Sequence, residues 1–302
     1  MRTAALLAVA ATLSGSAFSY GFRAAAPAPC TTATTACERW VPLGSGPARS
    51  LVYSTYSLDA PNRAITRALI MVHGADRNAD HYFSTATAAG FLGGALGNKK
   101  NFPNLTKIVV TGHSAGGQFA TRYEMSNKMH GTLHGVSITY VVANPSSYAW
   151  PAAVRPLPTG DGDPAMADKE ALGDSGEKVH TQFTYGPFDS TKVDGYDRWP
   201  AGLEHRAGYT AQMSDDQLKK QLVERPTTYI LGQVDVLPLG GFDSSPSGMA
   251  QGPTRRARGE AFFKYVNETL GAKHNAIIVP ECGHNDRCMF TSEVVLPVIF
   301  PQ

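Results

Sequence analysis

Ser114 lies in the run Gly112-His113-Ser114-Ala115-Gly116. This fits G-x-S-x-G, the pattern of a serine on a sharp turn between a strand and a helix. Side chains two residues away on either side of such a turn would collide, so glycine is favoured at both places. The turn lifts the serine hydroxyl above the sheet. It also aims the next backbone N–H, that of Ala115, at an oxyanion developing on an attacked carbonyl. Five residues alone are a weak signal, and the context strengthens it. Lys107-Ile108-Val109-Val110-Thr111 reads as a buried strand before the turn, and Gln118 to Lys128 reads as a helix after it.

A serine hydroxyl needs a base, and the base needs an acid to orient it. A serine on such an elbow is followed along the chain by the acid and then the histidine. Asp235 follows the apolar run Thr228-Tyr229-Ile230-Leu231, and His284 follows Ala276-Ile277-Ile278-Val279-Pro280. The order matches, with Asp243 as a rival acid. His180 and His205 are less suitable bases, and His274 precedes its strand, at the wrong end of a parallel sheet. Val72-His73-Gly74-Ala75 follows another buried run, Ala68 to Val72. The N–H of Ala75 is the expected partner of the Ala115 N–H in an oxyanion hole, with His73 holding the loop by hydrogen bonds.

The elements that must position these groups are strands alternating with helical segments, an α/β pattern with a mainly parallel sheet. Val52 to Leu58 and Ile138 to Val142 read as further strands. Asp215 to Val223 and Arg256 to Leu270 read as helices, the second stopped by Gly271. Residues 79–89 suggest a short helix. In such sheets ligands bind beyond the C-terminal ends of the strands, where each candidate residue falls. Residues 146–226 break the rhythm. They are polar, rich in Pro and Gly, and carry Trp150, Phe183, Tyr185, Tyr196 and Trp199. They read as a cap-like insertion in a domain spanning 39–302.

The bulk composition excludes several classes. Net charge is +2, too weak to suggest nucleic acid as a partner. The basic run Arg255-Arg256-Ala257-Arg258 sits in an expected helix and reads as a solvated face. After the N-terminus no apolar stretch is long enough to span a bilayer. Residues 1–19 have the form of a secretory signal: Arg2, an apolar run from Ala4 to Leu13, then small residues to a cleavage point after Ala17 or Ser19. This implies a secreted protein, although Phe18 would also suit a plastid-targeting leader of an alga. Residues 20–38 read as a linker rich in Ala, Pro and Thr. The four cysteines allow three pairings. Neighbour with neighbour, Cys30 with Cys37 and Cys282 with Cys288, is the expected one. No Cys/His spacing suggests a metal. Asn104-Leu105-Thr106 and Asn267-Glu268-Thr269 are glycosylation acceptors in a host that glycosylates.

The runs Ala68 to Asp80, Lys107 to Phe119 and Gly283 to Ser292 resemble secreted esterase-like enzymes of the α/β-hydrolase family. Segments Asp194–Tyr209 and Ala250–Phe263 share that resemblance, and the oxyanion loop is similar to those of polyester depolymerases and feruloyl esterases. The resemblance implies an α/β-hydrolase fold with helices on both faces of the sheet and a Ser114-Asp235-His284 triad. It also implies no cofactor and a small or polymeric carboxylic ester as substrate. One stretch departs from the pattern. Residues 75–106 hold too little chain for the helix, strand and helix of the family, so one strand–helix unit between residues 90 and 106 is expected to be missing. The chain then reads as an ester hydrolase, as a shortened or catalytically impaired form used for binding, or as a secreted peptidase or amidase with the same site.

Overall fold

The structure is a computed structural model that describes residues 28–42, 47, 49–74, 96, 98–159, 163–164, 178–179, 182–188, 193–206 and 210–301. Strands β1 (Glu38–Pro42) and β2 (Arg49–Tyr53) form an antiparallel pair of their own. The expected strand over Val52–Leu58 thus starts earlier and stops at Tyr53, where turns begin.

The central sheet contains β3 (Arg67–Val72), β4 (Lys107–His113), β5 (Ser137–Ala143), β10 (Thr227–Gly232) and β11 (Asn275–Val279). Their order is β11-β10-β5-β4-β3, and every pairing is parallel. Between β5 and β10 lie β6 (Val154–Pro158), which pairs with β9 (Phe183–Pro187), and the short pair β7 (Asp163–Pro164) and β8 (Lys178–Val179). The helices that matter here are α1 (Ala115–Ser126), α2 (Asp215–Glu224), α3 (Pro246–Met249), α4 (Arg255–Lys264), α5 (Asp286–Thr291) and α6 (Leu296–Ile299).

Successive side chains on a strand face opposite sides. On β10, Tyr229 and Leu231 therefore join one core with Trp150, Leu218, Leu222 and Phe262, while Ile230 joins the other with Val141, Val279, Phe290 and Ile299. Burial on both faces explains why these strands are continuous apolar runs in the sequence. Helix α2, inside the expected insertion, contributes Leu218 and Leu222 to the core beside the sheet. It opens with a capping box at Ser214 and Gln217. Helix α4 continues into a wider turn over Tyr265–Thr269, and Gly271 ends it at φ 79°.

Among the described residues β3 is the last strand of the row. A cavity of about 380 Å³ runs along its outer edge, lined from both faces of the strand by Ala68, Leu69 and Ile70 and closed by Phe102 and Phe300. Residues 98–105 are turns, and residues 75–95, which include the expected helix 79–89, lie outside the described residues.

Two disulfides form between neighbours, Cys30–Cys37 and Cys282–Cys288, as the spacing suggested. The first sits within the expected linker, where the Cys30 N–H also donates to Thr55 O at 2.8 Å. Both glycosylation acceptors are engaged. Asn104 Nδ2 donates to Arg63 O at 2.7 Å. Asn267 is tied to His274 through both side-chain atoms: its Nδ2 donates to His274 O and its Oδ1 accepts from His274 N. No helix among the described residues is long and apolar enough to cross a membrane.

Candidate active site

The strand ends meet because the registers are level. Val72 pairs with Gly112, His113 with Ala143, and Gly232 with Val279. The residues just past these positions are Ser114, Asn144, Asp235 and the loop carrying His284.

Ser114 has φ 57° and ψ −120°, a strained backbone that L residues seldom adopt. Its N–H donates to Ala143 O at 3.0 Å, and its carbonyl accepts from Gln118 N at 2.9 Å, which starts α1. A Cβ on Gly112 would lie 2.5 Å from the Gly116 backbone, and one on Gly116 would strike the Val72 carbonyl oxygen. The glycines of the motif are required because the turn packs backbone on backbone.

His284 Nδ1 donates to Asp235 Oδ2 at 2.9 Å. Both side chains are buried, at 9% and 1% exposed. A carboxylate oxygen accepts, so the proton of this bond is carried by Nδ1. Nε2 is buried without a hydrogen-bond partner, so it does not bond Ser114 Oγ in this structure. Free hydrolytic sites often hold that bond long and tighten it when substrate binds. The rival acid Asp243 is committed elsewhere: its Oδ1 accepts from the N–H and the Oγ of Ser245 at 3.1 and 2.6 Å.

The histidine loop is fixed from three sides. The Cys282–Cys288 disulfide closes it. The Asn285 side chain caps α5 by accepting from Cys288 N. Asn144, at φ 40°, accepts from Gly232 N at 2.8 Å and donates to Gly283 O at 3.2 Å, with His113 Nε2 at 3.5 Å from the same amide nitrogen. One asparagine thus joins the ends of β4, β5 and β10 to the His284 loop. The His113 ring lies 4.5 Å from the His284 ring, centroid to centroid. Burial holds the His113 imidazole well below the ordinary histidine value, and the nearby His284 and Arg255 charges act in the same direction. His113 therefore packs under His284 as a neutral ring.

Ala115, the expected oxyanion donor, is the first residue of α1, directly after the elbow serine. Ala75 lies outside the described residues; upstream of it, His73 Nδ1 donates to Gly74 O at 2.7 Å. No group of three His, Cys, Asp or Glu that could hold a metal occurs among the described residues.

The basic run on α4 is the clear correction to the sequence reading. Arg255 and Arg258 are 0% exposed and Arg256 is 8% exposed, so this is no solvated face. The guanidinium groups are satisfied by carbonyls of Leu239, Gly240, Ser146, Asp243 and Gly252, and by the Glu260 carboxylate. Arg255 also faces Asp235, with Nη1 3.5 Å from Oδ1. Sequence reasoning missed Arg255 and Asn144. The one available signal was Gly259, a mid-helix glycine, where a Cβ would strike the Leu231 side chain and so marks α4 as pressed against β10.

No family model and no curated protein matches the chain. Solved structures do. The sheet order, the elbow and these matches together give the chain the α/β-hydrolase fold. It is similar to poly(aspartic acid) hydrolase-1 from Sphingomonas sp. KT-1, with a TM-score of 0.53 and 20% identity. That match covers 83% of this chain and 94% of the other. It is also similar to LpqC, a poly(3-hydroxybutyrate) depolymerase from Bordetella parapertussis, with a TM-score of 0.50 and 20% identity over 83% of this chain and 82% of that one. At this identity the likeness is one of fold.

Proposed function

We propose that the protein is a secreted serine hydrolase that cleaves carboxylic esters through an acyl-enzyme. The observation that carries this reading is the buried 2.9 Å bond from His284 to Asp235 beside a strained elbow serine. Ser114 Oγ attacks the ester carbonyl carbon while His284 Nε2 takes its proton. Asp235 stabilises the imidazolium through Nδ1–H. The carbonyl oxygen, now an oxyanion, accepts from Ala115 N–H and Ala75 N–H. Collapse expels the alkoxide, which takes the proton from Nε2 and leaves as the alcohol. Water then attacks the acyl-Ser114 bond with His284 again as base, releasing the acid and the free serine. The two disulfides and the leader-like residues 1–19 support export to an oxidising compartment.

The test is steady-state hydrolysis of a panel of small chromogenic esters and matched amides. Because the Sphingomonas and Bordetella enzymes are named for poly(aspartic acid) and poly(3-hydroxybutyrate), both polymers belong in the panel. Ester turnover that disappears in Ser114→Ala supports the reading. Turnover of amides alone moves the assignment to a peptidase or amidase using the same residues. A folded protein that cleaves nothing overturns the proposal in favour of a binding role.

A further inference from the structure

We infer that Arg255 is a positioning residue for the triad acid, fixing Asp235 Oδ1 so that Oδ2 is presented to His284. The inference rests on the hydrolase reading above and adds a residue to it.

Asp235 is a buried carboxylate with two differently served oxygens. Oδ2 accepts from His284. Oδ1 is buried and accepts no hydrogen bond. A buried carboxylate oxygen left without compensation is costly. The compensating charge is the Arg255 guanidinium, whose Nη1 lies 3.5 Å from Oδ1, with both side chains almost completely buried.

The guanidinium is itself held in place. Nε donates to Ser146 Oγ at 2.8 Å, and Nη2 donates to Leu239 O at 2.5 Å and Gly240 O at 2.9 Å. Its face lies over the Phe242 ring, 5.2 Å from the centroid. Burial pushes the guanidinium pKa down, and the Asp235 charge opposes that shift. The same group therefore grips two things. One is the acid, and the other is the 239–240 backbone beside His284, where a Cβ on Gly240 would sit 3.5 Å from His284 Cδ2. Rotation of Asp235 about its Cβ–Cγ bond would exchange the oxygens and tilt the imidazole. The planar fork of Arg255, anchored on the Ser146 hydroxyl and the Leu237, Leu239 and Gly240 carbonyls, prevents that rotation in a way a flexible ammonium cannot match. Because the group never touches substrate, its loss acts on turnover and leaves binding alone.

The experiment compares wild type, Arg255→Met, Arg255→Lys and Asp235→Asn on one ester, with Ser114→Ala as the blank. Arg255→Met is expected to lower kcat by roughly 10–100-fold, the size typical of lost outer-shell partners, with KM within about twofold. Arg255→Lys, which keeps the charge, is expected to recover part of that loss. In the Asp235→Asn background, Arg255→Met is expected to add no further loss, because the group acts through the acid. Should Arg255→Met fail to fold, Arg255→Lys carries the test through the low-field proton resonance of His284 Nδ1–H. That resonance is expected to move in Arg255→Lys and to vanish in Asp235→Asn. Unchanged kcat in Arg255→Met, an equal loss in the Asp235→Asn background, or an unmoved resonance in Arg255→Lys overturns the inference while an inactive Ser114→Ala leaves the hydrolase standing. A fully active Ser114→Ala overturns both.

Discussion

Among the described residues two carboxylate–imidazole pairs are buried, at opposite ends of the same sheet. Asp235 and His284 lie beyond the C-terminal ends of β10 and β11. Glu124, near the end of α1, and His274, just before β11, lie at the N-terminal end. The first pair is bonded at 2.9 Å and has Arg255 on its far oxygen. In the second, Nε2 and Oε1 are 3.8 Å apart, beyond hydrogen-bond reach, and His274 Nδ1 sits 3.2 Å from the Tyr229 hydroxyl. Burial pushes the Glu124 carboxyl well above its ordinary value and brings the His274 imidazole down to about 4. Both shifts favour the uncharged forms. The same kinds of group therefore make a hydrogen-bonded, directed pair at one end and an uncharged, structural pair at the other. Each carboxylate has a guanidinium near it, Arg255 for Asp235 and Arg225 for Glu124, so the direct 2.9 Å bond and the place at the carboxyl ends of the strands make the difference.

The sharpest way to break this contrast is to neutralise each carboxylate in turn. Asp235→Asn should lower kcat about 10⁴-fold, as expected when the imidazole loses its orienting anion. Glu124→Gln should leave kcat within about twofold. Equal losses in steady-state assays would mean the two pairs are not functionally distinct.

The Cys282–Cys288 bridge closes the loop of the directed pair only. Replacing both cysteines by alanine should cost about 2 kcal/mol in urea unfolding, the chain-entropy value for so short a loop. It should also reduce kcat, because His284 loses one of its three restraints. A stability loss with kcat unchanged would show that Asn144 and Asn285 hold the loop without the bridge.

The effect without consequence for turnover lies at the structural pair and depends on pH. Glu124 has its folded pKa raised, so its contribution to stability is fully present below about pH 4.5 and declines as pH rises. His274 has its folded pKa lowered to about 4 from 6.5, so stability is lost as pH falls through that window. Glu124→Gln removes the first slope alone. Its melting temperature relative to wild type should climb from pH 4.5 upward, with a limit of about 1.4 kcal/mol per pH unit. A constant difference between pH 4.5 and 8 would show that Glu124 is charged in the folded protein.

The sheet was legible because β4, β5 and β10 are buried on both faces, which writes them as apolar runs, and the outer strands β3 and β11 carry similar runs although they are only partly buried. The elbow was legible because Gly112 and Gly116 touch backbone, so their identities are dictated locally. Asp235 and His284 each follow an apolar run, which favoured Asp235 over the rival Asp243, while His274 precedes its run and so falls at the other end of the sheet. Arg255 and Asn144 were not legible. Each acts through carbonyl or amide groups distant in sequence, and nothing near them announces those partners. The arginine run on α4 misled for the same reason. A charge is normally solvated, and only the folded 237–243 loop supplies the acceptors that bury this one. The β6–β9 pair was missed because Pro156, Pro158 and Pro187 break the strand pattern and no tight turn joins the two runs.

The central claim is that the elbow serine and the Asp235–His284 pair form one working site. The most direct measurement treats the purified protein with a fluorophosphonate probe and maps the adduct by mass spectrometry. A single adduct on Ser114, lost in His284→Ala, is the predicted result. A folded protein that takes no label, or that takes it on another residue, would contradict the account.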